Sequence, residues 1–136
     1  MDSPPWKEDG PMADARHELG IAAERSVATW LESAGWHVLA RRRRSKDGGE
    51  VDLIALDPSA TMVAIEVRAR RTNRTGIGSE TIDRRRTARI GRTLAAFATA
   101  SGIDHRGLRV DLVIVAPMPG TAARWRLRRI PDIGAW

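Results

Sequence analysis

The stretch that decides the fold is GEVDLIALDPSATMVAIEVRAR, residues 49–70. The apolar residues on either side of DPSA read as two short strands joined by a tight turn. Each strand carries an acid in its middle, Asp52 in the first and Glu66 in the second. An unpaired carboxylate in a core costs on the order of several kcal/mol, so something positive should sit beside them. Strand alternation decides which side chains meet. In the second strand Val63, Ile65, Val67 and Ala69 point one way and Glu66 and Arg68 the other; in the first, Glu50 and Asp52 share a face with Ile54. A hairpin across DPSA brings Asp52 and Glu66 together on a common face. Adjacent carboxylates repel unless a cation lies between them, and hard oxygen ligands suit Mg²⁺ or Mn²⁺. The plainer alternative makes each acid the salt-bridge partner of a nearby arginine.

Working outward, residues 1–13 hold Pro4, Pro5, Gly10 and Pro11 among charges and read as a disordered leader to a single domain over 14–136. From Asp14 as N-cap, Leu19, Ala23, Val27, Trp30, Leu31 and Ala34 form a helical stripe that Gly35 terminates. Glu24 lies on the flank of this stripe, within reach of the sheet, so three acids from three elements can converge. WHVLARRR (36–43) reads as a strand ahead of the hairpin, giving an antiparallel three-strand meander. A helix is predicted over about Ile82–Ala100, with Ile90, Leu94, Phe97 and Ala98 buried and Gly102 ending it. LRVDLVIVAP (108–117) is a β-branched run suited to burial on both faces, and ARWRLRRI (123–130) alternates like an edge strand. The order is αβββαββ, an α/β sandwich.

Composition narrows the functional classes. The chain of 136 residues has no cysteine, no apolar run of membrane-spanning length and no signal-peptide pattern at its start, which points to the cytoplasm. Net charge is +6, and Lys7 and Lys46 are the only lysines among 23 basic residues. Drift in a GC-rich genome accounts for Arg over Lys; the net positive charge is left over and favours a nucleic-acid partner. Candidate phosphate contacts are Arg42 and Arg44 of RRRR, expected on one strand face, then Arg71 and Arg74 of RRTNRTGIG, and Arg85 and Arg86 of DRRR, where a glycine loop feeds a helix N-terminus. A solvated strand end and an unrelated loop are the bland readings of these runs. The histidines show no ligand spacing, and Trp125, on the basic edge strand, is the one tryptophan kept open for base stacking.

Asp52, thirteen residues, Glu66, one residue and a basic Arg68 resembles the PD-(D/E)XK nuclease signature. The ordered blocks GIAAERSVATWLESAGWHVLARRRR, GGEVDLIALD, VAIEVRAR, DRRRTARI and RVDLVIV resemble, over about residues 19–133, the YraN family of uncharacterised bacterial proteins. That resemblance implies a restriction-endonuclease-like αβββαββ three-layer sandwich with a central mixed sheet, similar to archaeal Holliday-junction resolvases. It implies Mg²⁺ or Mn²⁺ held by Asp52, Glu66 and the Val67 carbonyl, with Glu24 as the helix-one acid and Glu50 as an accessory motif residue. Arg86 falls where the family often has a basic residue. DNA is the implied partner, branched or flapped forms included, and a homodimer is compatible. The family's EVK is EVR here: Arg68 cannot act as a base, though it can stabilise charge on a phosphate.

Overall fold

The computed structural model describes residues 11–46, 49–69, 83–118 and 125–134, with side chains from Glu18 onward. The element order is α1 (Pro11–Ser33), β1 (His37–Arg44), β2 (Glu50–Leu56), β3 (Thr61–Ala69), α2 (Arg84–Ser101), β4 (Gly107–Pro117) and β5 (Trp125–Ile130). The αβββαββ order is therefore observed.

Helix α1 opens at Pro11, so the helix starts three residues before the expected cap Asp14; a proline at the first helical position loses no hydrogen bond. It ends where Gly35 turns to φ +89. There Gly35 N–H donates to the Glu32 carbonyl (3.1 Å) and Trp36 N–H to that of Leu31 (3.0 Å), a pair of bonds that satisfies the last carbonyls. Helix α2 is capped by Asp83, which accepts from Arg86 N–H at 2.9 Å, and closes on left-handed Gly102. That cap bond holds the Asp83 carboxyl below its ordinary range. Ile82, the expected start of the helix, lies outside the described residues.

The five strands lie in sequence order, β1-β2-β3-β4-β5. All neighbours are antiparallel except β3 and β4, which are joined through α2 and run parallel. One face packs Ala23, Val27 and Leu31 of α1 on Leu53, Ile65 and Val113; the other packs Ile90 and Leu94 of α2 on Ile54, Met62 and Val110. Burial on both faces explains the unbroken apolar run of β4. The result is the three-layer, mixed-sheet sandwich expected from the sequence, and it fits the restriction-endonuclease-like arrangement.

The DPSA turn is built around Asp57, whose Oδ1 accepts from the N–H groups of Ser59 (2.8 Å) and Thr61 (3.0 Å). From this turn to the middle of the sheet, where Asp111 lies opposite Ile65, runs a buried ionic cluster. Asp111 of β4 is fully buried and accepts from Arg109 Nε (2.8 Å), Arg109 Nη2 (3.0 Å), Arg129 Nη1 (3.0 Å) and Asp132 N–H (2.9 Å). Arg109 also reaches Asp57 at 3.2 Å, tying β4 to the turn. Every lone pair of Asp111 is thus matched, and burial of the charge is tolerated.

Candidate active site

Away from the DPSA turn, beyond Leu53 and Ile65, β2 and β3 separate. Their ladder closes with Leu53 opposite Ile65, while β2 stays paired to β1 as far as Glu50 and β3 stays paired to β4 as far as Ala69. The next residues on each side of this fork are Asp52 and Glu66. Asp52 takes over where the ladder stops: its Oδ2 accepts from Val67 N–H at 2.8 Å. Within a strand the N–H and C=O of one residue face the same neighbour, so the Val67 carbonyl faces the fork as well.

Alternation along β2 breaks at this point. Leu53 and Ala55 pack under α1, whereas Val51 joins Ile54 in the α2 layer. The irregularity puts Asp52 within the field of acids from both sides. Burial, then Glu66, then Glu24 and Glu50 push its carboxyl up to about 7, against the single opposing bond from Val67. Glu66 is 3 % exposed. Its Oε1 accepts from Arg86 Nη2 of α2 at 2.5 Å, and its Oε2 is buried without a hydrogen-bond partner among the described residues. Burial raises its pKa too, with Arg86 and Arg68 opposing. An acid pair that is desolvated, mutually repelling and short of one donor is the electrostatic complement of a small cation.

The donor set fits a hard divalent ion: two carboxylates and a backbone carbonyl, all oxygen, with a lone pair of Glu66 unused. Among the described residues no three Asp, Glu, His or Cys side chains converge closely enough to hold a metal unaided. Asp52, Glu66 and Val67 would thus supply part of a coordination shell, and water or phosphate oxygens the remainder, as is usual for Mg²⁺.

The other expected residues divide. Glu24 is near enough to act on Asp52 electrostatically, but its Oε2 accepts from Arg42 Nε at 2.9 Å. Arg68 shares the Glu66 face by alternation and is half-buried. Glu50 is exposed at the mouth of the fork, 3.8 Å from Arg44 Nε. Arg85 is exposed in the first turn of α2, and Arg71 and Arg74 lie outside the described residues. The salt-bridge alternative therefore holds for Glu24 and one oxygen of Glu66, while no arginine bonds Asp52 among the described contacts.

One expectation is corrected. Arg42 and Arg44 do not share a face, because Arg42 adopts φ +51 and resets the alternation of β1. Arg41 and Arg42 both reach α1, at Glu32 (3.8 Å) and Glu24, whereas Arg43 lies over the Phe97 ring of α2 and Arg44 lines a pocket beside it. Nothing in RRRR announces a left-handed backbone at its second arginine. Gly49, readable from SKDGG as a turn residue, has a further role: a Cβ there would meet Thr93 Oγ1 at 2.7 Å and Arg89 Cγ at 3.1 Å, so this glycine lies directly on α2. The GG ahead of EVD was the available signal.

Two helices around a mixed sheet, with a fork that carries two buried acids, define a small α/β domain of restriction-endonuclease-like architecture. Its relatives are bacterial. The chain belongs to the uncharacterised protein family UPF0102, whose sequence model matches residues 23–115, a span that contains every fork residue. A UPF0102 protein of Symbiobacterium thermophilum is 33% identical over 109 residues, 80% of this chain and 91% of the relative. One from Beutenbergia cavernae is 34% identical over 110 residues, covering 81% and 92%. One from Paramagnetospirillum magneticum is 40% identical over 128 residues, covering 90% and 89%. The family is the one that the ordered sequence blocks resembled. No helix among the described residues is long and apolar enough to cross a membrane.

Proposed function

We propose that the chain is a metal-dependent endonuclease that hydrolyses phosphodiester bonds in DNA in the cytoplasm, with flapped or branched DNA as preferred substrate. The observation that carries this reading is the buried Glu66 Oε2 without a partner, beside an Asp52 raised to about 7. A structural carboxylate fills its lone pairs, as Asp111 does; this pair has one donor on each acid, and Glu66 Oε2 is left over where the two strands part.

Asp52, Glu66 and the Val67 carbonyl would hold Mg²⁺ or Mn²⁺, which when bound supplies activation of water and neutralisation of phosphate charge. The side chains around it have separate tasks. Glu24 can accept a proton or orient water once Arg42 turns to a phosphate. Arg68 and Arg86, on the Glu66 side of the fork, stabilise charge that develops on the phosphate oxygens. None of the arginines serves as a base, so proton removal falls to a carboxylate or to bulk water. Asp83 fixes the first turn of α2 and so sets the approach of Arg86.

A second reading, a DNA-binding module of the same fold with little catalysis, is favoured by Arg68 in place of the motif lysine and by the ion pairs of Glu24 and Glu66. The deciding experiment incubates labelled linear, flapped and four-way-junction DNA with the protein and Mg²⁺ or Mn²⁺, with Asp52→Ala alongside. Cleavage that vanishes in the variant supports the nuclease. Binding without cleavage by either protein supports the module.

A further inference from the structure

A second basic feature lies beside the fork, between the end of β1 and the solvent side of α2. It is a cavity of about 380 Å³ lined by Arg43, Arg44, Lys46 and Arg92, with Phe97 and Ala96 on its apolar side. This is the size range of small-ligand pockets. No carboxylate is among its described lining residues. The Arg43 guanidinium stands 5.4 Å from the centroid of the Phe97 ring, so a cation–ring pair forms one wall. The cavity is held in shape by the turn that makes it. Ser45 N–H donates to the Gly49 carbonyl (2.8 Å), Gly49 N–H donates to Ser45 Oγ (3.1 Å), and Gly49 seats the turn against Thr93.

Its position relates it to the acids. Arg43 pairs with Val51 and Arg44 with Glu50, the two residues just before Asp52. Two strand spacings separate β1 from β3, so the pocket begins roughly 10 Å from the fork. A duplex presents its phosphates on a convex surface with the bases stacked inside, and it cannot fill a concave site walled by a guanidinium and a ring. An unpaired nucleotide can: its phosphate meets Arg44, Lys46 and Arg92, and its base lies against the Arg43 and Phe97 wall. We propose that this pocket receives an unpaired nucleotide of the DNA strand that is cut at the fork, and that it thereby selects flapped or branched DNA over plain duplex. The assignment rests on the nuclease reading and gives it a source of substrate choice.

The test measures binding, so that it does not depend on turnover. Full-length Asp52→Asn protein is titrated against a fluorescent duplex and the same duplex with a single-stranded flap, over a range of salt. Arg92→Glu and Lys46→Glu are then added separately, each checked by thermal melting. Arg106→Glu, exposed at the far end of the sheet, serves as a control of equal charge change. Each pocket variant is expected to weaken flap binding about tenfold while duplex binding stays within about threefold, and to make the flap salt slope less negative by about 0.7 per lost contact. Arg106→Glu is expected to leave the flap preference intact. Equal losses on both DNAs, or none on either, overturn the pocket assignment while duplex binding and Asp52-dependent cleavage by the parent keep the nuclease reading standing. Displacement of the flap by free deoxynucleoside monophosphate at oligonucleotide concentrations overturns it in favour of a mononucleotide site. Failure of the Asp52→Asn protein to bind either DNA overturns both.

Discussion

Glu66 gives one carboxylate oxygen to Arg86 and keeps the other buried with no donor. Arg86 is about half exposed at its side chain while Glu66 is not, so the pair is asymmetric: the guanidinium can leave for solvent or phosphate, and the carboxylate stays. On the metal-dependent reading proposed above, Arg86 occupies part of the space that the ion would take. Arg86→Ala should lower the melting temperature in chelator, because Glu66 loses its partner, and should tighten Mn²⁺ binding, because a competing charge is gone. Calorimetric titration with Mn²⁺ checks the second effect independently of cleavage.

Asp52→Asn should abolish cleavage and stabilise the metal-free fold. An asparagine oxygen can still accept from Val67 N–H, and the repulsion with Glu66 disappears. The gain is on the order of 1–3 kcal/mol near neutral pH, read as a rise of several degrees in thermal melting. A fall in melting temperature would show that the Asp52 charge is already compensated.

The same residue sets a pH dependence. The folded pKa of Asp52, about 7, lies above its ordinary value of 3.8, so the native state binds more protons than the unfolded chain between those values. Stability contributed at this site is fully present below about pH 4 and is lost as pH rises through about 7. The difference in melting temperature between Asp52→Asn and the parent should therefore widen from about pH 4 to about pH 8 in chelator. Millimolar Mn²⁺ at the upper end should raise the parent and leave the variant unmoved.

Arg68→Lys separates two histories of the site. If arginine replaced lysine by drift, cleavage is equal or faster in the variant; if the site has lost catalysis, neither form cuts. Single-turnover assays on flapped DNA read the difference, because they exclude product release.

Asp111→Ala is the contrast. It leaves Arg129 without its buried carboxylate and Arg109 with Asp57 alone, around a hole, and the cost should be about 3–5 kcal/mol, enough to halve the yield of folded protein at elevated temperature. Urea unfolding of this variant beside Asp52→Asn should move the two midpoints in opposite directions.

Much of this arrangement was legible before any coordinates. Reading DPSA as a turn placed Asp52 and Glu66 on neighbouring strands, whereas the break of alternation that sets Val51 in the same layer as Ile54 is not foreseen by a strict period of two. Gly35 and Gly102 marked helix ends because both positions need a left-handed backbone. The partner of each acid was not legible. Arg86 meets Glu66 across twenty residues, and Arg42 meets Glu24 only because one backbone angle in β1 is inverted; neither long-range pairing leaves a periodic trace. The Arg43–Phe97 pair was hidden for the same reason. Nor did RVDLVIV reveal its Asp111 as a structural ion, since the donors come from β4 itself, from β5 and from Asp132.

The sheet thus holds two buried acids on adjacent strands under opposite regimes, Asp111 saturated with donors and Glu66 left one short. Directed evolution would feel that difference. A library screened for heat tolerance alone should keep Asp111 and discard Asp52 and Glu66 early, since their removal relieves desolvation and mutual repulsion that, on the proposed reading, only a bound ion would otherwise relieve. Thermostable clones from such a screen would be enriched in dead sites, and a breeder of this protein would need to select in the presence of divalent cation to keep the fork alive.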